Sequence, residues 1–237
     1  MARRETPVPR LDPDVARLAG ALADPSRVAM LDALLDGRAH PIGALARHAG
    51  ISAATASGHL RRLLDEELVA VDRSGRSRHV RLASPAIARL LESLAALAAP
   101  ARPATAASAS RASQLRFART CYDHLAGVVG VRITGALVER AWLRDRDDGF
   151  TATQALLDWL AERGNPLPDA PGSRRPLARG CLDWSERVPH LAGQVGAAVA
   201  ELALGQGWVV RVRDSRALRL TARGRTALAH DLGLTFP

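Results

Sequence analysis

Apolar residues recur at helical spacing through the first hundred positions and predict five short helices and one hairpin. Val15, Leu18, Ala19 and Leu22 share one face of a first helix, which Asp12 can cap with Pro13 at its first position. Asp24-Pro25-Ser26 opens a second helix through Val28, Met30, Leu31, Leu34 and Leu35, closed at Asp36-Gly37. Pro41 opens a third, with Ile42, Leu45 and Ala46 inward and His48-Ala49-Gly50 as the turn after it. Ile51-Ser52 then set an N-cap ahead of a fourth helix, in which Ala56, Leu60, Leu63 and Leu64 anchor one side while Ala53, Ala54, Ser57, Gly58 and Arg61 point outward. The period changes to two at Leu68-Val69-Ala70-Val71, Ser74 to Ser77 turns, and His79 to Leu82 returns, giving a hairpin that carries Arg73, Arg76, Arg78 and Arg81. Ser84-Pro85 starts a fifth helix whose stripe of Ile87, Leu90, Leu91, Leu94 and Leu97 is too wide for a small domain to hide, which predicts a second subunit.

Residues 1–11 read as a disordered arm, 12–99 as one winged helix-turn-helix unit for DNA binding and dimerisation, and 100–110, rich in proline and alanine, as a linker. Beyond the linker the chain repeats itself. His124-Leu125-Ala126-Gly127 returns as His190-Leu191-Ala192-Gly193, Val129-Gly130 as Val195-Gly196 and Trp142 as Trp208, all at one offset. The copies span 111–164 and 179–237, with a Pro- and Gly-rich loop at 165–178 between them. Each reads as helix, extended piece ending in Trp, hairpin and closing helix. The expected fold is therefore mainly α with small β hairpins: a winged helix-turn-helix domain followed by a duplicated, winged-helix-like region.

Composition narrows the partner. All 33 basic residues are Arg and the net charge is +9, which suits a polyanion. GC-rich coding also yields an all-Arg, Ala-rich chain, so the motif decides rather than the charge. At 3% aromatic content the chain lacks platforms for stacking single strands, which favours duplex DNA. No long apolar run and no signal peptide are visible, so a cytoplasmic protein with no membrane partner is expected.

Two cysteines in 237 residues do not make a disulfide scaffold. Both copies place Cys-x-Asp ahead of the His-Leu-Ala-Gly element, pairing Cys121 with His124 and Cys181 with His190. Three readings stay open: buried small hydrophobes with capping histidines, a redox- or electrophile-sensing thiol pair, or a four-coordinate site for Zn²⁺ or another thiophilic metal. In the metal reading Cys121 and His124 share a helical face at i, i+3, and pseudo-symmetric packing brings the two cysteines together. No cofactor is fixed by the sequence. A thiol enzyme with Cys121 as nucleophile and His124 as base is the alternative from another class, but no oxyanion-hole or phosphate loop accompanies the pair. A winged helix used for protein contacts is a second alternative.

The segment Ala21 to Arg27, followed by Leu34-Leu35-Asp36-Gly37 and Ser57-Gly58-His59-Leu60, resembles the ArsR family of bacterial winged-helix repressors, nearest its cadmium- and lead-sensing branch, over about residues 12 to 98. The resemblance implies a homodimer on a palindromic operator, joined by the first helix and the helix from Ser84 to Ala99. It places Ser57, His59 and Arg61 on the recognition helix and Arg76 and Arg78 in the wing; Ala53, Ala54 and Arg73 complete the expected DNA-contacting set. The family's inducer sites do not carry over. Ala44-Leu45-Ala46 stands where a Cys-x-Cys is best known, and Arg62 and Glu66 stand where the cadmium and lead branch has cysteines. The Ser84 to Ala99 helix lacks the Asp/His set of zinc and nickel sensors. Glu67 replaces the glycine usual before the wing, which predicts a differently shaped helix end. The C-terminal pieces look similar to long ArsR-like regulators with an added domain. The expected function is a homodimeric transcriptional repressor rather than an enzyme, binding a double-stranded operator and released when a small-molecule, metal or redox effector reaches the C-terminal repeat.

Overall fold

The computed structural model describes residues 14–74, 77–99, 103, 105–146, 149–167 and 175–236. The expected arm, Asp12, Pro13, Arg76 and parts of the expected linker and loop lie outside the described residues, as does the side chain of Arg73. The chain is mainly helical with small antiparallel hairpins, arranged as a head and a duplicated tail.

The head runs α1 (Val15–Leu22), α2 (Pro25–Leu34), β1 (His40–Pro41), α3 (Ile42–Ala49), α4 (Ala53–Asp65), β2 (Val69–Ser74), β3 (Ser77–Leu82) and α5 (Pro85–Leu97). The cap of α1 is Asp14 rather than Asp12, its carboxylate accepting the Arg17 N–H. At the next junction Asp24 accepts the Arg27 N–H to cap α2 over Pro25, while the Arg27 guanidinium donates to the Ala21 and Gly20 carbonyls that end α1. The Asp-Pro-Ser-Arg run thus closes one helix and opens the next. Pro41 belongs to a short strand as well as capping α3, and the sheet order is β1-β3-β2. Met30, Leu31, Leu34, Leu45, Leu63, Leu68 and Leu82 fill the head core. Leu64, expected among the anchors of α4, is instead 36% exposed.

The end of α4 corrects one expectation. Glu67 adopts the left-handed conformation, φ 52°, that glycine would have supplied. Its N–H donates to the Leu64 carbonyl and the Leu68 N–H to the Leu63 carbonyl, so the helix closes in a Schellman turn despite the missing glycine.

The tail begins inside the expected linker. Thr105 and Ser108 form a capping box for α6 (Ala106–Phe117), an exposed helix whose alanine-rich start had read as linker. Each copy is then hairpin, helix, hairpin, helix: β4 (Arg119–Cys121), β5 (His124–Ala126), α7 (Gly127–Glu139), β6 (Leu143–Arg146), β7 (Gly149–Ala152) and α8 (Gln154–Glu162), followed by β8 (Arg179–Leu182), β9 (Pro189–Ala192), α9 (Gly193–Gly205), β10 (Val209–Arg211), β11 (Leu218–Leu220) and α10 (Ala222–Leu232). Cys121 and His124 therefore do not share a helical face. They sit opposite each other across β4 and β5, as Cys181 and His190 do across β8 and β9.

The repeated glycines have a packing reason. Gly127 and Gly193 turn at φ 76° and 88° from strand into helix, and a Cβ on Gly130 or Gly196 would meet the Leu125 or Leu191 carbonyl oxygen at 2.5 or 2.6 Å. Each helix can lie this close to its own strand only without side chains there. The two helices α7 and α9 are buried over most of their length, and Thr134 of α7 donates to the Gly130 carbonyl while accepting the Leu191 N–H from the other copy.

Head and tail are locked by Arg216, which lies in the loop between β10 and β11. Its guanidinium bonds Asp32 of α2 at 2.8 Å, Glu92 of α5 at 2.7 Å and the Thr120 carbonyl of β4 at 3.1 Å. The turn between β4 and β5 docks beside it, the Tyr122 N–H donating to the Leu35 carbonyl at 2.7 Å.

Candidate nucleic-acid interface and a buried cysteine–histidine cluster

Ser52 begins α4, its hydroxyl accepting the Thr55 N–H. Ala53, Ala54, Thr55, Ser57, Gly58 and Arg61 are exposed, so the outward face is small and hydroxylated as its spacing predicted. Ser57 Oγ donates back to the Ala53 carbonyl at 2.8 Å, which leaves the oxygen free to accept. His59 departs from the expected set: it is half-buried against α2, with Nδ1 3.4 Å from Arg27 Nη1 and Nε2 3.9 Å from Asp24 Oδ1. Its place is the joint between helices, not the outer face. Arg62 pairs with Glu66 at 3.1 Å one turn on, and Arg17 of α1 joins the same carboxylate at 2.9 Å. In the wing Arg78 is exposed, while Arg81 is engaged by Asp72 across the hairpin at 2.9 Å.

The second constellation lies where the two copies meet. Cys121 Sγ and Cys181 Sγ are 3.8 Å apart, and with one nitrogen each from His124 and His190 all four candidate donor atoms fall within 4.8 Å of one another, all buried. The imidazole rings lie 5.1 Å apart. On each ring Nδ1 faces a carboxylate, Asp123 Oδ1 at 3.1 Å from His124 and Asp183 Oδ2 at 3.3 Å from His190. Nε2 of both rings is buried without a hydrogen-bond partner among the described residues.

Electrostatics hold this arrangement. Asp183 is a buried hub that accepts the Gly127 N–H at 2.7 Å and the Ser185 N–H and hydroxyl at 2.9 and 2.7 Å, and pairs with Arg119 at 3.0 Å. Burial opposes its charge, yet His190, Arg119 and these donors hold the carboxyl well below the usual range. Arg119 in turn lies over the Trp184 ring at 4.4 Å. Contact with Cys121 and with both imidazoles lowers the Cys181 thiol, whereas contact with Cys181 and burial push Cys121 up, so the pair favours a thiolate on Cys181. Burial works against a charged His190, but Asp183 and Cys181 raise its pKa. A cavity of about 500 Å³ opens onto both cysteines and is bounded by α5 of the head and by Arg175 and Arg179 of the tail.

Residues 22–72 match a family model described as a helix-turn-helix domain. A protein of Bacillus subtilis, the uncharacterised HTH-type transcriptional regulator YdfF, is 40% identical over 224 residues, 94% of this chain and 99% of that protein. The chain belongs to the HTH-type transcriptional regulators. The regulator CmtR of Mycobacterium tuberculosis is 44% identical over 80 residues, 34% of this chain and 67% of CmtR. Among solved structures, a homodimeric winged helix-turn-helix DNA-binding domain from Mycobacterium bovis is 34% identical over 35% of this chain and 76% of that one, with a TM-score of 0.33.

As an HTH-type regulator, the chain binds DNA through its winged head, and the likeness to YdfF extends through the tail as well. Of the residues expected at DNA, Ala53, Ala54, Ser57, Arg61 and Arg78 lie on exposed surface, and Cys121, His124, Cys181 and His190 come together in one cluster. The sequence reading missed the carboxylates behind the histidines, although Asp123 and Asp183 were visible in the Cys-x-Asp repeat. It also missed Arg216, which a sequence shows as one more wing arginine. Among the described residues no helix is long and apolar enough to cross a membrane.

Proposed function

We propose that the protein is a cytoplasmic, homodimeric repressor that binds an operator through α4 and the wing and is released when an effector reaches the tail. The observation that carries this reading is the uncovered outer face of α4, small enough to enter a major groove, with Arg61 at its edge and Arg78 exposed on the neighbouring hairpin. Dimerisation is supported by Val15 on α1 and Leu94 and Leu97 on α5, which stay 53%, 42% and 85% exposed in one copy. A regulatory rather than catalytic role for the tail fits its relatives, which are named as transcriptional regulators. The test is a gel shift against the duplex upstream of the protein's own gene. Arg61→Ala is expected to weaken binding about 5- to 150-fold, as loss of an arginine–guanine contact of about 1–3 kcal/mol would. Ser57→Glu is expected to abolish it by setting a carboxylate against the groove. Unchanged binding in both variants would refute the placement of the groove contacts.

A further inference from the structure

We propose that Cys121, His124, Cys181 and His190 form a four-coordinate S₂N₂ site for one thiophilic divalent ion of the zinc class, and that this ion is the regulator's effector. The second half rests on the reading of the tail as the effector-receiving part. The first half stands on geometry alone. A tetrahedral ion with bonds of about 2.3 Å to sulfur sets its two sulfurs about 3.8 Å apart. Cys121 Sγ and Cys181 Sγ stand at 3.8 Å, whereas a disulfide would need them about 2.05 Å apart.

The histidines supply the independent observation. Buried polar atoms are ordinarily hydrogen-bonded. Here the Nε2 atoms of His124 and His190 are both buried and unpartnered; Nδ1 of His124 is hydrogen-bonded to Asp123, and Nδ1 of His190 lies 3.3 Å from Asp183 Oδ2 in an ion-pair contact without hydrogen-bond geometry. A carboxylate behind the ring and an open nitrogen in front is the arrangement that orients an imidazole for a metal. A structural reading, with two small buried thiols beside Ala126 and Ala192, accounts for the cysteines but leaves the two Nε2 atoms, although the rings contact Cys181, without a hydrogen bond. Two thiolates and two neutral imidazoles around a divalent ion sum to zero charge, which suits burial. Soft sulfur with imidazole nitrogen in a tetrahedral set selects zinc-class ions over magnesium or calcium. The cavity beside Pro85 and Arg89 of α5 gives an entry route to the thiols.

The site is placed to act on the head. One chain turn links its ligands Cys121 and His124, and that turn is the one seated on α2 through Tyr122 and Leu35. The strand bearing Cys121 also carries the Thr120 carbonyl held by Arg216, whose other bonds reach α2 and α5. Closing four ligands around an ion therefore fixes the hairpin against the two helices that set the head's position, and hence the spacing of two α4 helices in a dimer.

The experiment uses the full-length, reduced protein, stripped with a chelator and titrated with Co²⁺ as a spectroscopic probe and then with Zn²⁺, while operator affinity is read by fluorescence anisotropy in both states. One ion per chain is expected, with the thiolate charge-transfer and intense visible bands of tetrahedral cobalt, lost in Cys181→Ser. Asp123→Asn keeps all four ligands and is expected to weaken zinc affinity about 10- to 100-fold, with the melting temperature of the metal-free protein lowered only slightly by loss of the partly exposed Asp123–Arg175 ion pair. Loading is expected to shift operator affinity at least tenfold. No stoichiometric binding, or an unaltered cobalt spectrum in Cys181→Ser, would overturn the site; operator binding by the metal-free protein would show in the same titration that the DNA-binding reading survives. If Cys181→Ser does not fold, an unshifted zinc affinity in Asp123→Asn overturns the site instead. Full loading with unchanged operator affinity overturns the effector role.

Discussion

The chain builds one local unit three times and puts it to different uses. In the head, α4 ends on Glu67 at φ 52°; in the tail, α7 ends before Ala141 at φ 55° and α9 before Gly207 at φ 67°. Each left-handed residue is followed by an apolar one packed on a core, Leu68, Trp142 and Trp208, and then by a hairpin. The backbone solution is shared, and the outer faces differ. Only Ala56 and Leu63 of α4 are fully buried, and a strip of alanine, serine, glycine and arginine is left uncovered. α7 and α9 bury valine, isoleucine, leucine and glycine over most of their length, facing each other's hairpins. A helix hidden in this way cannot enter a groove. Side-chain choice, not the winged-helix outline, separates the DNA-reading unit from the two that form the tail.

Breaking the bond between the regions should have the largest effect. Arg216→Ala strands the buried Glu92 carboxylate and removes the tie to Asp32, and is expected to cost about 3–5 kcal/mol in denaturant unfolding. A loss below 1 kcal/mol would mean that head and tail are held elsewhere. The same junction should be acid-sensitive. Burial opposes the Asp32 charge, but Arg216 and His48 hold its carboxyl at about 2, below an ordinary value of 3.8. Its contribution is complete above the ordinary value and disappears as pH falls through the lowered one. Hydrogen-exchange protection factors in α2, which divide out the intrinsic slowing of amide exchange in acid, should therefore fall between about pH 4 and pH 2, and unchanged protection across that range would contradict the assignment.

The symmetry of the tail is tested next. Gly130→Ala and Gly196→Ala each push a methyl group into a carbonyl oxygen of the preceding strand and should each cost about 1–3 kcal/mol. Strongly unequal losses in thermal unfolding would break the equivalence of the copies. The helix ends give a smaller effect of opposite sign. Glu67→Gly relieves a side chain in the left-handed region and should stabilise the head by about 1 kcal/mol, whereas Gly207→Ala should destabilise the tail by a similar amount. The smallest effect separates the wings. Arg78→Ala should lower the slope of log affinity against log salt by about 1, while Arg219→Ala, also exposed but on β11, should leave it unchanged.

The head was legible in the sequence because its signals are local. Ser52 caps α4, Asp24 and Pro25 open α2, and the strands of the wing alternate with period two. His59 entered the expected set only through the family resemblance, and its partners Asp24 and Arg27, distant in sequence, hold it in the joint between helices. The repeat in the tail was visible from glycines and tryptophans, yet the first hairpin of each copy was not. Tyr122-Asp123 lacks the Asn-Gly signature of a two-residue turn, and Tyr122 takes φ 62° without being glycine. The cysteine–histidine cluster was legible as a coincidence of spacing, but its geometry depends on how two hairpins 60 residues apart meet, which no local pattern encodes.

The central claim is that one of three similar units reads DNA. Hydroxyl-radical footprinting of the full-length protein, with and without its operator duplex, tests it most directly. The account predicts protection at Ser52 to Arg61 and at Arg78, with α7 and α9 unchanged. Protection centred on α9 or β11, with α4 left reactive, would contradict it.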